Sequence, residues 1–224
     1  FSGTIEHNKS RESGGAIWCA CMGSNLQTTF SLNGIEIKNN IAGKDGGGIY
    51  LAARSGNTVA NISSGSLIGN YSGRSGGGMY LELGELNGSY GKSITVNIGE
   101  ANSGTSGLLI SENTAAINGG GLYVGRSQNN TSENNTISVN MYSGTLSANS
   151  AVNGGAIGIV KGNLTVSGGN ISSNNATENG GGAYVDTGAL TVSGGSFTGN
   201  TAKSAGGVHV DDGTIEISGG PIQR

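Results

Sequence analysis

Apolar and polar positions recur along the chain in one repeated phrase. An apolar residue is followed three positions later by Asn, and two positions after that by Ala or Ser. The seven sets are Ile5/Asn8/Ser10, Ile37/Asn40/Ala42, Leu67/Asn70/Ser72, Ile110/Asn113/Ala115, Leu146/Asn149/Ala151, Ile171/Asn174/Ala176 and Phe197/Asn200/Ala202. Five or six residues beyond each Asn stands a small residue (Gly14, Gly46, Gly76, Gly119, Gly154, Gly180 or Ala205), opening a small-residue run. A strand follows, as in Ile17-Trp18-Cys19, Ile49-Tyr50-Leu51 and Leu122-Tyr123-Val124. The outer members of each triplet lie two apart and share one face, which is placed inward. The central column Trp18, Tyr50, Tyr80, Tyr123, Gly158, Tyr184, His209 then points outward. A second alternating strand precedes each phrase, clearest at Leu164–Gly169, Leu190–Gly195 and Ile215–Gly220. Each repeat is thus predicted to hold two strands and a short third segment ending at the Asn, joined by Gly, Asn and Ser turns.

Three short parallel strands per repeat describe an all-β, right-handed parallel β-helix, in which stacking supplies the core that no coil can bury alone. The shortest spacings, 26 from Gly154 to Gly180 and 25 from Gly180 to Ala205, give a coil of about 25 residues. Seven coils at about 4.8 Å make a single domain over 1–224, a column of roughly 30–35 Å. Longer spacings place loop insertions near 82–107 and 126–135. The recurring Asn is expected to stack inward as a ladder that satisfies turn backbone groups. Pro221–Arg224 occupies the position of Ser196–Gly199, and neither end carries a polar cap. The solenoid is therefore expected to continue past both ends.

Composition narrows the function classes. Glycine supplies 45 of 224 residues, charged residues are only 11%, and the net charge is −3. No basic stripe for nucleic acid is present, and no apolar run is long enough to span a membrane. Clustered glycines without a three-residue period exclude collagen. Gly91-Lys92-Ser93 fails as a phosphate loop because Leu86 stands where the first glycine belongs.

These residues resemble the repeats of chlamydial polymorphic outer membrane proteins, whose signature pairs GGA(I/L/V) with FxxN. GGAI occurs at Gly14–Ile17 and Gly154–Ile157, and a strict FxxN at Phe197–Asn200. Elsewhere Ile or Leu replaces Phe, and GGG replaces GGA. Adhesin-like β-helix surface proteins carry similar repeats. The resemblance covers nearly the whole chain and implies secretion, surface display and adhesion. No catalytic residue carries over from it.

The candidate sites follow from the columns. The ladder comprises Asn8, Asn40, Asn70, Asn113, Asn149, Asn174 and Asn200. The aromatics Trp18, Tyr50, Tyr80, Tyr123 and Tyr184 form a column that either faces a ligand such as a glycan or stabilises the sheet by ring contacts. Asp186 and Asp211 sit at equivalent places with Asp212 and His209 nearby, a pairing that suits Ca²⁺ or sugar cleavage but is explained more simply as exposed turn aspartates. Cys19 and Cys21 face inward as thiols or as a local disulfide, and are too few for zinc. Ten Asn-x-Ser/Thr sequons occur. In a glycosylating host Asn129, Asn130 and Asn134 are the expected acceptors, whereas Asn8 and Asn70 are expected to be buried. The reading is a non-catalytic extracellular surface solenoid without a cofactor. Its partners would be host or neighbour-cell glycans or proteins, or copies of itself. The alternatives are a segment of an extracellular filament and a polysaccharide lyase or hydrolase.

Overall fold

The computed structural model describes residues 3–86, 89–90, 92–100, 107–127, 135–220 and 222–223. They form a parallel β-helix of four stacked sheets. The ladder sheet holds eight strands, Gly3–Glu6, Ile35–Lys38, Gly65–Ile68, Leu109–Ser111, Thr145–Ser147, Asn170–Ser172, Ser196–Thr198 and Ile222–Gln223. The ring sheet holds seven strands, from Ile17–Cys21 to Val208–Val210, all but Ile157–Ile159 bearing an aromatic or imidazole ring. The long sheet holds seven more, from Gln27–Leu32 to Thr214–Ile217. The expected three-strand coil needs one correction: a fourth sheet of six short strands, such as Ile41–Ala42 and Tyr71–Ser72, follows the ladder Asn. Four of the six strands are two residues long and the other two, Ser150–Asn153 and Asn175–Asn179, pair with a register shift, so alternation does not reveal them. A small antiparallel hairpin, Glu85–Leu86 with Ser89–Tyr90, lies in the first insertion.

Register between coils follows the sequence phrase. Ile5, Ile37 and Leu67 are paired in one column, which continues through Ile110, Leu146, Ile171, Phe197 and Ile222. From Ile37 to Phe197 every member of that column is 0% exposed. Inward residues of the ring and long sheets, such as Leu51, Leu81, Val96 and Val139, close the core from the other sides.

The ladder Asn side chains bind coil to coil. Asn113 Oδ1 accepts the backbone N–H of Asn70 at 2.9 Å and its Nδ2 at 3.0 Å. Asn113 Nδ2 donates to the Leu67 carbonyl at 2.8 Å and to Asn149 Oδ1 at 3.0 Å. All four bonding positions of the amide are therefore filled in a place that is 0% exposed. The pattern repeats through Asn40, Asn70, Asn149 and Asn174. Asn8 departs from its expected burial. It is exposed, because no earlier coil covers it among the described residues.

The residue before each ladder Asn has a positive φ. These residues are His7, Asn39, Gly69, Glu112, Ala148, Ser173 and Gly199. The residue opening each small run is also left-handed, at Gly14, Gly46, Gly76, Gly119, Gly154, Gly180 and Ala205. Two left-handed corners per coil thus turn the chain into and out of the short sheet.

Two outcomes are expected. Asn113→Asp removes both donors and leaves a carboxylate among acceptors without water, which should cost about 3–5 kcal/mol. Asn8→Asp, on an exposed rung, should cost no more than about 1 kcal/mol. Urea unfolding of the two variants checks this, and equal losses would refute the ladder argument. Ala148 is exposed with φ 53°, so Ala148→Gly should stabilise by up to about 1 kcal/mol by relieving left-handed strain. The same unfolding midpoint reads it.

Candidate functional site

The outward face of the ring sheet gathers most of the chemistry. Parallel register puts Trp18, Tyr50, Tyr80 and Tyr123 at the same place on successive coils. Their rings stack with centroid spacings of 6.0, 5.3 and 4.6 Å and planes within 3–7° of parallel. Each inner ring therefore spends its faces on its neighbours. Tyr50 is only 3% exposed, whereas Trp18, at the end of the stack, is 48% exposed. Stacking on an outside partner needs a free ring face. In this column Trp18 has a neighbouring ring on one side only. The column is interrupted at Gly158, where a Cβ would already stand 3.0 Å from the Gly119 backbone nitrogen. Beyond it Tyr184 stacks on His209 at 5.9 Å.

Polar groups tie the rings at their rims. The Tyr50 hydroxyl donates to Glu82 and accepts from Arg54 Nη2 at 2.9 Å. Arg54 and Glu82 also pair at 3.6 Å. Burial pushes the phenols of Tyr50, Tyr80 and Tyr123 well above the ordinary tyrosine range, with neighbouring negative groups adding to it. These hydroxyls hold their protons.

The carboxylate pair singled out in the sequence does sit on adjacent coils, one residue past the paired Val185 and Val210. Asp211 accepts from the Tyr184 hydroxyl at 2.7 Å and lies 2.9 Å from His209 Nε2. His209 Nδ1 in turn meets Ser204 Oγ at 3.2 Å. The Tyr184 bond first, then His209, holds the Asp211 carboxyl below its usual range. A carboxyl kept ionised is a poor general acid, the role that sugar cleavage asks of one member of such a pair. The cluster instead caps the short Tyr184–His209 stack. No group of three or more metal-ligating side chains occurs among the described residues.

Cys19 and Cys21 both face inward, opposite Leu51 and Ala53, and both are free thiols. Burial, with the Cys21 sulfur second, pushes the Cys19 thiol up. The proposed acceptors Asn129, Asn130 and Asn134 lie outside the described residues, as does Asn87. Asn70 is 1% exposed, as its place in the ladder requires.

A second polar column escaped the sequence reading. Ser13, Asp45, Ser75, Asn118, Asn153, Asn179 and Ser204 each precede the left-handed corner residue. Asn179 Nδ2 donates to Asn153 Oδ1 at 2.9 Å, and Asn153 Nδ2 to Asn118 Oδ1 at 3.1 Å. Asp45 Oδ1 accepts the Ser75 N–H at 3.2 Å. The signal was available as a short polar residue before every small run, but its identity varies. Burial raises the Asp45 carboxyl above its ordinary value against the weaker opposing pull of Arg74 and Ser75.

That raised value fixes a sign. The cost of holding Asp45 charged in the fold is present at neutral pH. It fades as pH falls through the folded-state pKa and vanishes below the unfolded one. Asp45→Asn should therefore raise the melting temperature at pH 7 by about 1–2 °C and have no benefit below about pH 3.5. Melting curves across that range check it, and a loss at pH 7 would show that the Arg74 pair dominates.

Comparison with known families agrees with this geometry over part of one coil. The Chlamydia polymorphic membrane protein repeat matches residues 34–52. That stretch holds Ile37, the ladder Asn40, the left-handed Gly46 and the ring strand through Leu51. No curated protein and no solved structure matches the chain. The chain is a parallel β-helix that resembles the polymorphic membrane proteins and carries one recognisable copy of their repeat.

Proposed function

We propose that this chain is a non-catalytic, surface-displayed solenoid: a stiff column that carries variable loops outward for attachment. One observation carries the reading. From ladder Asn to left-handed corner the chain takes five or six residues in every coil. The opposite side varies freely. The connection from ring sheet to long sheet is three residues at Val160–Gly162, Asp186–Gly188 and Asp211–Gly213, but nine at Gly84–Lys92 and at Ser127–Asn135. A second edge, from long sheet to ladder sheet, also varies, with ten residues between Ile98 and Leu109 against two between Leu32 and Ile35. A constant spine with insertions outside it is the arrangement expected of a scaffold that tolerates change where it meets a partner.

The repeat match supports a surface setting, since its family is one of membrane proteins. The engaged Asp211 and the mutually covered rings favour a structural role for the outward groups over a catalytic one. The test is labelling of intact source cells with antibodies raised against this chain, with and without permeabilisation. Labelling of intact cells, lost after brief external proteolysis, is the expected result. Signal that appears only after permeabilisation would overturn surface display.

A further inference from the structure

Trp18 is the single tryptophan of the chain. It stands exposed at the end of the ring stack, and its neighbour Tyr50 is buried. The two rings lie face to face, 6.0 Å between centroids and 3° from parallel. Tyr80 and Tyr123 continue the stack at 5.3 and 4.6 Å. These are spacings at which aromatic rings pack in contact, and rings in contact exchange electrons readily. An electron taken from the exposed indole can therefore be replaced from the covered phenols behind it.

A phenol that loses an electron becomes a strong acid. The loss settles on the ring whose proton has a base to receive it. In this stack that ring is Tyr50. Its hydroxyl donates to the Glu82 carboxylate and accepts from Arg54 Nη2 at 2.9 Å. Among the described residues the Tyr80 and Tyr123 hydroxyls donate to no side chain. A loss placed there would strand a positive charge on a covered ring, which is costly. Tyr184 also meets a carboxylate, Asp211, but Gly158 separates it from the Trp18 stack.

We propose that the stack is a one-electron relay, in which Trp18 meets a one-electron oxidant and Tyr50 holds the oxidising equivalent as a neutral tyrosyl radical. In the first step the oxidant gains one electron and the Trp18 indole loses one. In the second, an electron passes from Tyr50 to Trp18, and the Tyr50 hydroxyl proton moves to Glu82. A proton that the indole gives to water in the first step returns from water in the second. The sum is one electron to the oxidant and one proton to the Glu82 carboxylate, with no bond between heavy atoms made or broken. Arg54 goes on donating to the phenoxyl oxygen. The relay turns a diffusing oxidant into a radical held under cover in the wall of the column. This activity goes beyond surface display and is measured in solution, so failure of one leaves the other standing.

The experiment is pulse radiolysis of the purified chain with the azide radical, a one-electron oxidant that prefers indole to phenol. The tryptophanyl absorption is expected to decay as the tyrosyl absorption grows, at a rate independent of protein concentration. Tyr50→Phe keeps the ring and removes the hydroxyl, and should slow that growth at least about tenfold. Glu82→Gln keeps the size and removes the base, and should also slow it at least about tenfold. Circular dichroism confirms that each variant keeps the fold. Tryptophanyl decay without tyrosyl growth, a rate that rises with protein concentration, or unchanged kinetics in either variant would each overturn the proposal.

Discussion

A single primary amide, buried with both of its acceptor and both of its donor sites filled, sets the dimensions of this column. The Asn113 oxygen receives two protons from the coil before it, and its nitrogen gives one to the coil after it and one back. No other short side chain offers two donors and two acceptors in one plane. A carboxylate lacks the donors, and a hydroxyl is short of one. The amide therefore dictates both the identity of the residue and the separation of the coils. The paired registers of the other sheets and the ring spacings of 4.6–6.0 Å follow from that separation. The ring stack is a consequence of coil stacking and not its cause, since it lapses at Gly158 while the ladder continues through Asn149 and Asn174.

The two sides of the coil obey different constraints. On the ladder side two left-handed corners, a two-residue strand and a buried amide must all meet their counterparts one coil away. An inserted residue there would shift every one of these contacts. On the other sides the chain passes from ring sheet to long sheet and from long sheet to ladder sheet with no buried amide to match. Extra residues there cost only slowly growing loop entropy. The arrangement separates what holds the column together from what it can present, and it does so within every coil. This separation explains how nine-residue and three-residue connections coexist on one uniform scaffold.

Much of this was legible in the sequence, and the limits are physical. The ladder and the inward column could be read because each position demands one chemistry: an amide in one, bulk apolar volume in the other. The column through Asp45 and Asn118 could not be read as readily, because Ser, Asp and Asn all place an oxygen near the next backbone N–H. The left-handed residue before each ladder Asn was hidden for a related reason. Asn39 and Ser173 signal such a conformation weakly, and Ala148 and Glu112 give no signal for it. The four-sided coil was masked because most strands of its fourth side have only two residues. The aromatic column was read in its correct register. Whether its rings lay open or covered depended on how they lean, and alternation carries no information on that.

The low charge content, 11% of residues, follows from the same geometry. A parallel stack repeats every outward position about 4.8 Å away, so any charge kept in register meets its own kind above and below. Neutral amides and hydroxyls escape this penalty and can bond along the column, as Asn61, Asn97 and Asn140 do on the long sheet. Charges survive where neighbouring coils alternate them. Glu6 pairs with Lys38 at 3.4 Å, Glu12 with Lys44 at 2.6 Å, and Glu178 with Lys203 at 2.7 Å. Where like charges follow one another, other groups hold them: Arg74 stands beside Lys44 on the next coil, with Lys44 on Glu12 and Arg74 3.7 Å from Asp45. At Asp186 and Asp211 the Tyr184 hydroxyl and His209 hold the second carboxylate. In a fold that repeats every outward position, the partner a charge needs is supplied most readily by the coil beside it.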